Sequence, residues 1–421
     1  MNRNDRAITG LVMLAHGMVH TYELSFPILL GVWQARFTAL SLPLVGTVAV
    51  TSFVMGVVLT MGYAPFGLGA LPGGILTDAY GSRSLIVACL LGMGGSFVAL
   101  AVAPSLPVIA LCLFGWGVAA SVYHPAGLSL ISKGVEERGS AFAYHGIAGN
   151  LGIALGPLLT ALLLLFVGED SWRLVVALLG VPAIVGAVAA LRIDVDETAA
   201  VTDGSGEATG EVTSLAAFLG DSRTLLFSAF AVVFGVVMLS GLYYRGFLTF
   251  LPDLLAQFPS LAPVEIAGRE LAPGRYVYVG LLMVGVGGQY VGGMLTDRIP
   301  VELGLIGGYG GLALLAVVFL PIATLGLVPL LAMAALVGFF LFVVQPFYQA
   351  TVAEYTPPEA RGLSYGYTYL GVFGVGALGG TVAGGVLTYA NETALFLVLA
   401  AFGFLAAGLG AVLYRRASST R

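Results

Sequence analysis

Four histidines, one glutamate and one arginine are the residues of this sequence best suited to chemistry, because each lies within a long apolar run. His16, His20 and Glu23 follow one another at i, i+4 and i+7, a spacing that places them on one face of a helix. The others are His124, His145 and Arg245. An ionisable side chain at the centre of a bilayer costs on the order of 2.5–3.5 kcal/mol, so each is expected to have a functional or structural role.

Three interpretations of the face that carries His16, His20 and Glu23 are open. In the first, Glu23 and one histidine take up and release protons, since imidazole titrates near neutral pH. In the second, the face binds a divalent metal ion, since two imidazoles one helical turn apart can coordinate the same ion. In the third, these side chains hydrogen-bond within the bundle and position helices. Only one carboxylate and no thiolate accompany the histidines, so we predict no metal or other cofactor.

A second set of polar residues lies in the other half of the chain. Arg245 either faces a central cavity, where it could bind an anionic group or pair with Glu23, or extends to the membrane interface. Gln345 and Gln349 flank Pro346 and offer neutral hydrogen bonds. The predicted substrate and proton pathway comprises His16, His20, Glu23, Tyr123, His124, Arg245, Gln345 and Gln349.

The composition indicates that these residues lie on helices embedded in a lipid bilayer. The 421 residues are 58% hydrophobic and 9% charged, whereas soluble domains carry about 25% charged residues. Twelve apolar runs are long enough to span a bilayer as helices, and they do not show the alternation of a β-barrel. They cover roughly 8–31, 48–72, 84–103, 107–131, 141–166, 173–191, 225–250, 276–295, 302–322, 327–352, 363–389 and 393–414.

The twelve runs fall into two halves joined by a polar segment. We predict an N-terminal six-helix bundle over 1–192, a flexible acidic linker over 193–222 and a C-terminal six-helix bundle over 223–421. Most basic residues fall in loops on the side of the two termini, and only four fall on the opposite side: Arg36, Arg173, Arg269 and Arg275. This bias predicts that both termini are cytoplasmic, in the inner membrane of the cell.

A glycine-rich hinge occurs once in each half, about half a chain length apart. The first copy runs from Gly73 to Arg83, and the second from Gly292 to Arg298. Arg138 and Arg361 recur in later loops at a similar offset. Such duplication predicts parallel repeats around a central cavity, as in transporters. The predicted conformational latch comprises Gly74, Asp78, Gly81, Arg83, Arg138, Asp297, Arg298 and Arg361.

These motifs resemble the major facilitator superfamily. Gly74-x-x-x-Asp78-x-x-Gly81-x-Arg83 is similar to its loop 2–3 signature, and Gly293-x-x-x-Asp297-Arg298 to the second copy. Gly152-x-x-x-Gly156-Pro157, preceded by Gly149, is similar to the helix 5 signature of its antiporters and forms a predicted hinge. The run Ser121 to Pro125 resembles the fosmidomycin-resistance branch of efflux proteins. Ala79 and Pro300 depart from the superfamily pattern.

The resemblance implies an all-α membrane protein with two pseudo-symmetric six-helix bundles that rock about a central site. Asp78 would then pair with an arginine or a helix N-terminus of the other half. We predict a monomeric secondary transporter of a small organic solute, coupled to protons and working as an exporter by antiport. The alternatives are a proton-coupled importer of an organic anion and an intramembrane metalloenzyme using His16, His20 and Glu23. No phosphate-binding loop occurs, and no nucleic-acid partner is predicted.

Overall fold

The apolar runs form helices, because a backbone in lipid must satisfy its hydrogen bonds within the protein. The computed structural model describes residues 1–42, 46–201, 215–266, 268–356 and 360–420. The helices before the linker are α1 (Arg3–Arg36), α2 (Ser52–Leu68), α3 (Ala70–Tyr80), α4 (Ser82–Ala101), α5 (Leu106–Ser121), α6 (Tyr123–Gly134), α7 (Arg138–Val167) and α8 (Trp172–Ala190). Those after it are α9 (Leu215–Leu226), α10 (Phe230–Leu248), α11 (Leu251–Ala256), α12 (Pro273–Thr296), α13 (Val301–Ala323), α14 (Leu327–Glu354), α15 (Arg361–Tyr369), α16 (Leu378–Tyr389) and α17 (Glu392–Thr420).

The strands of the described ranges form two antiparallel hairpins. Strand β1 (Ala39–Leu42) pairs with β2 (Gly46–Ala49), and β3 (Val264–Ile266) pairs with β4 (Arg269–Leu271). Both hairpins lie at the end of the molecule opposite the two termini. We call these ends the hairpin face and the terminal face.

Twelve segments cross the apolar layer. Within the part of the chain that the structure describes, ten helical segments are long and apolar enough to span a membrane, and the bent pair α2–α3 makes eleven. Helix α1 is the twelfth: its 34 residues extend about 51 Å at 1.5 Å per residue. Its polar residues lower its hydropathy without shortening it. The predicted all-α fold of twelve transmembrane helices is therefore confirmed.

The predicted start of the second helix at residue 48 is wrong. Residues 46–49 form strand β2, and the helix begins at Ser52 after Thr51, whose side chain caps it. This span bends by 50° where α2 meets α3 at Gly69. The eleventh span also departs from a regular helix near its middle, because Leu370–Val375 form a π-helical turn.

Parts of the segment 193–222, predicted as a flexible linker, have defined structure. Asn4 exchanges hydrogen bonds with the backbone of Asp196, and Arg138 donates to the Ala200 carbonyl at 3.1 Å. Residues 215–226 form α9. Residues 202–214 of the predicted linker lie outside the described residues. The first part of this segment is thus attached to the N-terminal bundle by specific contacts.

The two bundles meet closely at the hairpin face. Arg275 pairs with Glu169 at 2.5 Å, and Arg269 donates to the Phe166 carbonyl at 2.6 Å. Deeper in the layer α2 packs directly on α16, where a Cβ at Gly56 would overlap the backbone of Gly380. In this structure the route between the bundles is therefore closed at the hairpin face.

Candidate functional site

The polar face of α1 lies in the centre of the molecule against α7. Gly149 provides room for the His16 ring, and Gly152 and Gly156 face the backbone of α1 at Gly17 and Thr21. The predicted hinge glycines, followed by Pro157 within α7, therefore form a packing seam inside the N-terminal bundle. Because they bring α7 close, His16 stacks on His145 with ring centroids 3.9 Å apart.

A chain of hydrogen bonds runs along this face. The His16 Nδ1 atom lies 2.8 Å from the carbonyl oxygen of His145. The Nε2 atoms of His16 and His20 are 3.1 Å apart. The chain ends where His20 Nδ1 meets Glu23 Oε2 at 2.5 Å. The sequence spacing thus correctly predicts that these three side chains share a face and interact.

Glu23 also connects the two bundles. Its second carboxylate oxygen accepts a hydrogen bond from Arg245 of α10, and both side chains are almost completely buried. Tyr63 of α2 supports both partners, since its hydroxyl donates to the Glu23 carbonyl at 2.8 Å and its ring lies 3.7 Å from the guanidinium carbon. Arg245 therefore lies in the centre of the molecule and does not extend to the membrane interface.

His124 lies beside this cluster and lacks hydrogen bonds. It is 7% exposed, and neither of its ring nitrogens has a partner among the described residues. Its ring stacks on Tyr369 of α15 with centroids 4.8 Å apart. Tyr123 next to it donates to the Val12 carbonyl at 2.6 Å and so joins α6 to α1. One nitrogen each from His16, His20 and His124 all lie within 4.8 Å of one another.

The two glutamines of α14 are not part of this cluster. Gln345 is half-buried and Gln349 is exposed. The hydrogen bonds found in the described ranges do not join either to His16, His20, Glu23 or Arg245. Their predicted place in the pathway stays a prediction.

The first copy of the predicted latch lies at the terminal face, and the pairing of its aspartate stays within the N-terminal bundle. Asp78 pairs with Lys133 at 3.2 Å, an exposed contact within the same bundle. Gly81, with φ of 79°, turns the chain from α3 into α4. Arg83 donates to the carbonyls of Ala190 and Leu191. The expected pairing of Asp78 with the other half does not occur among the described contacts.

The carboxylate at this latch comes from the linker instead. Glu197 accepts hydrogen bonds from the backbone N–H groups of Ser82 and Arg83 at 2.8 and 3.2 Å. A carboxylate is favoured there because a helix N-terminus carries partial positive charge. Neither Glu197 nor Tyr63 was singled out from the sequence, because each acts through a partner that is distant along the chain.

The second latch copy is more exposed. Asp297 and Arg298 follow α12 at the surface. In the first copy, Gly74 has open space where a side chain would lie. The side chain of Arg361 lies outside the described residues. Glu302, buried in the first turn of α13, accepts a hydrogen bond from the Tyr355 hydroxyl at 2.5 Å. The second copy therefore places its own carboxylate at a helix N-terminus.

Comparison with known proteins identifies the family. A model of the Major Facilitator Superfamily matches residues 28–377. The uncharacterized MFS-type transporter YfnC of Bacillus subtilis is 26% identical over 75% of this chain and 72% of its own length. The MFS-type transporter Rv0849 of Mycobacterium tuberculosis is 34% identical over 29% of each chain.

Two solved structures share the fold over nearly the whole chain. A bacterial homolog of the human lysosomal transporter Spinster, in an inward-facing conformation, has a TM-score of 0.72 at 15% identity and covers 99% of this chain and 98% of its own. A D-xylose–proton symporter has a TM-score of 0.72 at 14% identity, with 97% of each chain covered. These proteins are transporters and give no support to the metalloenzyme alternative, and the resemblance to the fosmidomycin-resistance branch stays a prediction. The chain belongs to the Major Facilitator Superfamily and is a multi-pass secondary transporter, not an enzyme.

Proposed function

We propose that this transporter couples the movement of a small organic solute to protons, and that Glu23, His20 and His16 carry the proton. The observation that supports the proposal is the hydrogen-bonded chain from Glu23 through His20 and His16 to the His145 carbonyl. A carbonyl oxygen can only accept, so His16 must donate through Nδ1.

Counting protons along this chain supports a loaded state. Its three hydrogen bonds need three protons, whereas one carboxylate and two neutral imidazoles carry only two. The arrangement therefore requires one extra proton, wherever along the chain it resides. Loss of that proton would leave two lone pairs facing each other, either at the two Nε2 atoms or between His20 Nδ1 and the Glu23 carboxylate. Deprotonation therefore has to be accompanied by movement.

The cross-bundle ion pair links the proton to the conformation. Glu23 lies on α1 and Arg245 on α10, in different bundles. When the extra proton moves onto the carboxylate, Glu23 becomes neutral and its hold on Arg245 weakens. Protonation then weakens the contact between the two bundles at Glu23 and Arg245. Alternating access follows from that change.

We place the protein in the inner membrane with the terminal face in the cytoplasm, following the excess of basic residues at that face. The closed hairpin face is then the outer side. We propose export by exchange with protons, supported by the antiporter-like sequence Gly152 to Pro157, with a monomer as the working unit. A second candidate, import of an organic anion together with a proton, is favoured by the buried cation Arg245.

Vesicles that contain the purified protein and a trapped pH dye test this proposal. A panel of organic acids and amines is added outside, and the internal pH is followed. Exchange makes the interior alkaline as the solute enters, whereas co-transport makes it acidic. We expect Glu23→Gln to abolish the solute-dependent pH change, with Glu265→Gln on the exposed β3–β4 hairpin as the matched control. An undiminished pH change in Glu23→Gln would overturn the proton role.

A further inference from the structure

The buried cluster around Glu23 has one positive charge in excess. With its extra proton, the chain formed by Glu23, His20 and His16 is neutral as a whole. Arg245 then adds one positive charge, and its side chain is only 3% exposed. An unpaired charge in a buried site is strongly destabilising, so a compensating anion is expected.

The other buried carboxylates of the described ranges cannot provide this negative charge. Asp5 accepts from the backbone N–H groups of Glu136 and Glu137, and Glu302 accepts from Tyr355. Both lie at the terminal face. The remaining titratable groups around the cluster are phenols and imidazoles: Tyr63 on α2, Tyr123 and His124 on α6, His145 on α7, Tyr244 on α10, Tyr278 on α12, Tyr348 on α14 and Tyr369 on α15.

Several hydrogen-bonding groups near Arg245 are also left without partners. In the part of the chain that the structure describes, Arg245 Nε, both nitrogens of His124 and the Tyr278 hydroxyl are buried and have no hydrogen bond. Each of these three side chains can donate to an anionic oxygen. A carboxylate or a similar group would satisfy several of them together.

One aromatic ring lies near both principal donors, Arg245 and His124. Phe373 is 5.9 Å from the Arg245 guanidinium carbon and 6.3 Å, ring to ring, from His124. It belongs to the π-helical turn Leu370–Val375, and such turns frequently mark functional sites. Phe66 packs on Phe373 with centroids 4.6 Å apart. The surroundings of the donors are therefore apolar and aromatic.

We propose that the solute is a monoanionic organic acid with an apolar body. Its anionic group binds Arg245 and His124 next to Phe373, and it binds together with the extra proton. This proposal rests on the proton site proposed above and adds the charge class of the solute. Because the anion and the proton occupy the site at the same time, they move in the same direction, so this proposal favours the second candidate, co-transport, over exchange.

Binding to the purified full-length protein in detergent tests this proposal without any gradient. The probes are benzoate, its neutral isostere benzamide and the cation benzylammonium. We expect benzoate alone to raise the melting temperature. We also expect its affinity to fall about tenfold per pH unit at alkaline pH, the slope given by one co-bound proton. Calorimetry in two buffers of different ionisation enthalpy counts the proton directly.

Variants identify the site. Arg245→Gln should weaken benzoate binding by roughly tenfold or more, Arg245→Lys should keep the preference for anions, and Arg36→Gln at the exposed hairpin face should bind like the wild type. Equal stabilisation by benzamide, wild-type affinity in Arg245→Gln, or no stabilisation by benzoate would each overturn the proposal. Proton movement in vesicles that is lost in Glu23→Gln, without any selectivity for anions, would leave the proton role standing and refute this one alone.

Discussion

The ion pair between Glu23 and Arg245 makes a quantitative prediction about the conformational equilibrium. Both side chains are buried, they lie on different bundles, and they pair in the state that is closed at the hairpin face. At alkaline pH, where the chain from Glu23 to His16 lacks its extra proton, Glu23→Gln leaves a buried arginine without its counter-ion, and Arg245→Gln leaves a buried carboxylate. Removal of one partner of a buried pair costs about 3–5 kcal/mol. In an open state water solvates the remaining charge, so the cost falls mainly on the closed state.

This cost can be converted into populations. At about 1.4 kcal/mol per factor of ten, either single substitution should shift the equilibrium away from this state by roughly a hundredfold to several thousandfold. The double variant Glu23→Gln/Arg245→Gln has no unpaired charge. Its shift should therefore be much smaller than the sum of the two single shifts, which is the signature of direct coupling.

Alkylation of an introduced cysteine can measure the shift. Cys89 and Cys112 are first replaced by alanine, since they are free thiols. Thr60→Cys then reports the gap between the bundles, because the Thr60 side chain lies against α16, where its hydroxyl is 2.8 Å from the Thr381 hydroxyl in this closed state. We expect fast labelling in each single variant and slow labelling in the wild type and the double variant. Shifts that add in the double variant would refute the reasoning.

Three further predictions concern packing, capping and an unpaired group. Gly56→Ala should disfavour the closed hairpin face by about 1–3 kcal/mol, because the new methyl group meets the backbone of α16; Gly280→Ala, which has open space, is the control in the same labelling assay, and equal labelling would contradict the argument. Glu197→Ala should lower the free energy of unfolding by about 0.5–2 kcal/mol, the usual cost of a lost helix cap, and an unchanged denaturation midpoint would show that the contact contributes nothing. His124→Phe should raise the free energy of unfolding of the ligand-free protein by about 1–3 kcal/mol, since it removes an unpaired buried polar group, while weakening anion binding; a loss of stability would contradict this.

The fold and part of the candidate site can be predicted from the sequence. Apolar run lengths predict the twelve spans because lipid leaves a buried backbone no alternative to helices. Helical periodicity predicts that His16, His20 and Glu23 interact, because residues one turn apart are neighbours on the same helix. These predictions depend only on local geometry, so they need no knowledge of the other helices.

The remaining features depend on contacts between distant segments. Tyr63 supports the ion pair only because α2 packs beside α1, and the sequence around it has no distinguishing pattern. Asp78 has Lys133 as its partner rather than a group in the other half, since α3 packs beside α6 within the N-terminal bundle. The strand at 46–49 replaces a predicted helical turn because these residues pair with β1, and β2 begins at Gly46, whose φ of 86° favours glycine.

The duplicated architecture carries an unequal distribution of charge, and the proposed mechanism needs that inequality. All four histidines and Glu23 belong to the N-terminal bundle, whereas Arg245 belongs to the C-terminal one. A proton can therefore move along α1 and change the charge of Glu23 while the backbone of that bundle stays rigid. In the proposed mechanism, the effect of this change reaches the other bundle through Arg245. The hydrogen-bonded chain from Glu23 to His16 lies on one bundle, and its cationic partner Arg245 lies on the other. In this mechanism, a local proton transfer therefore changes the contact between the two bundles.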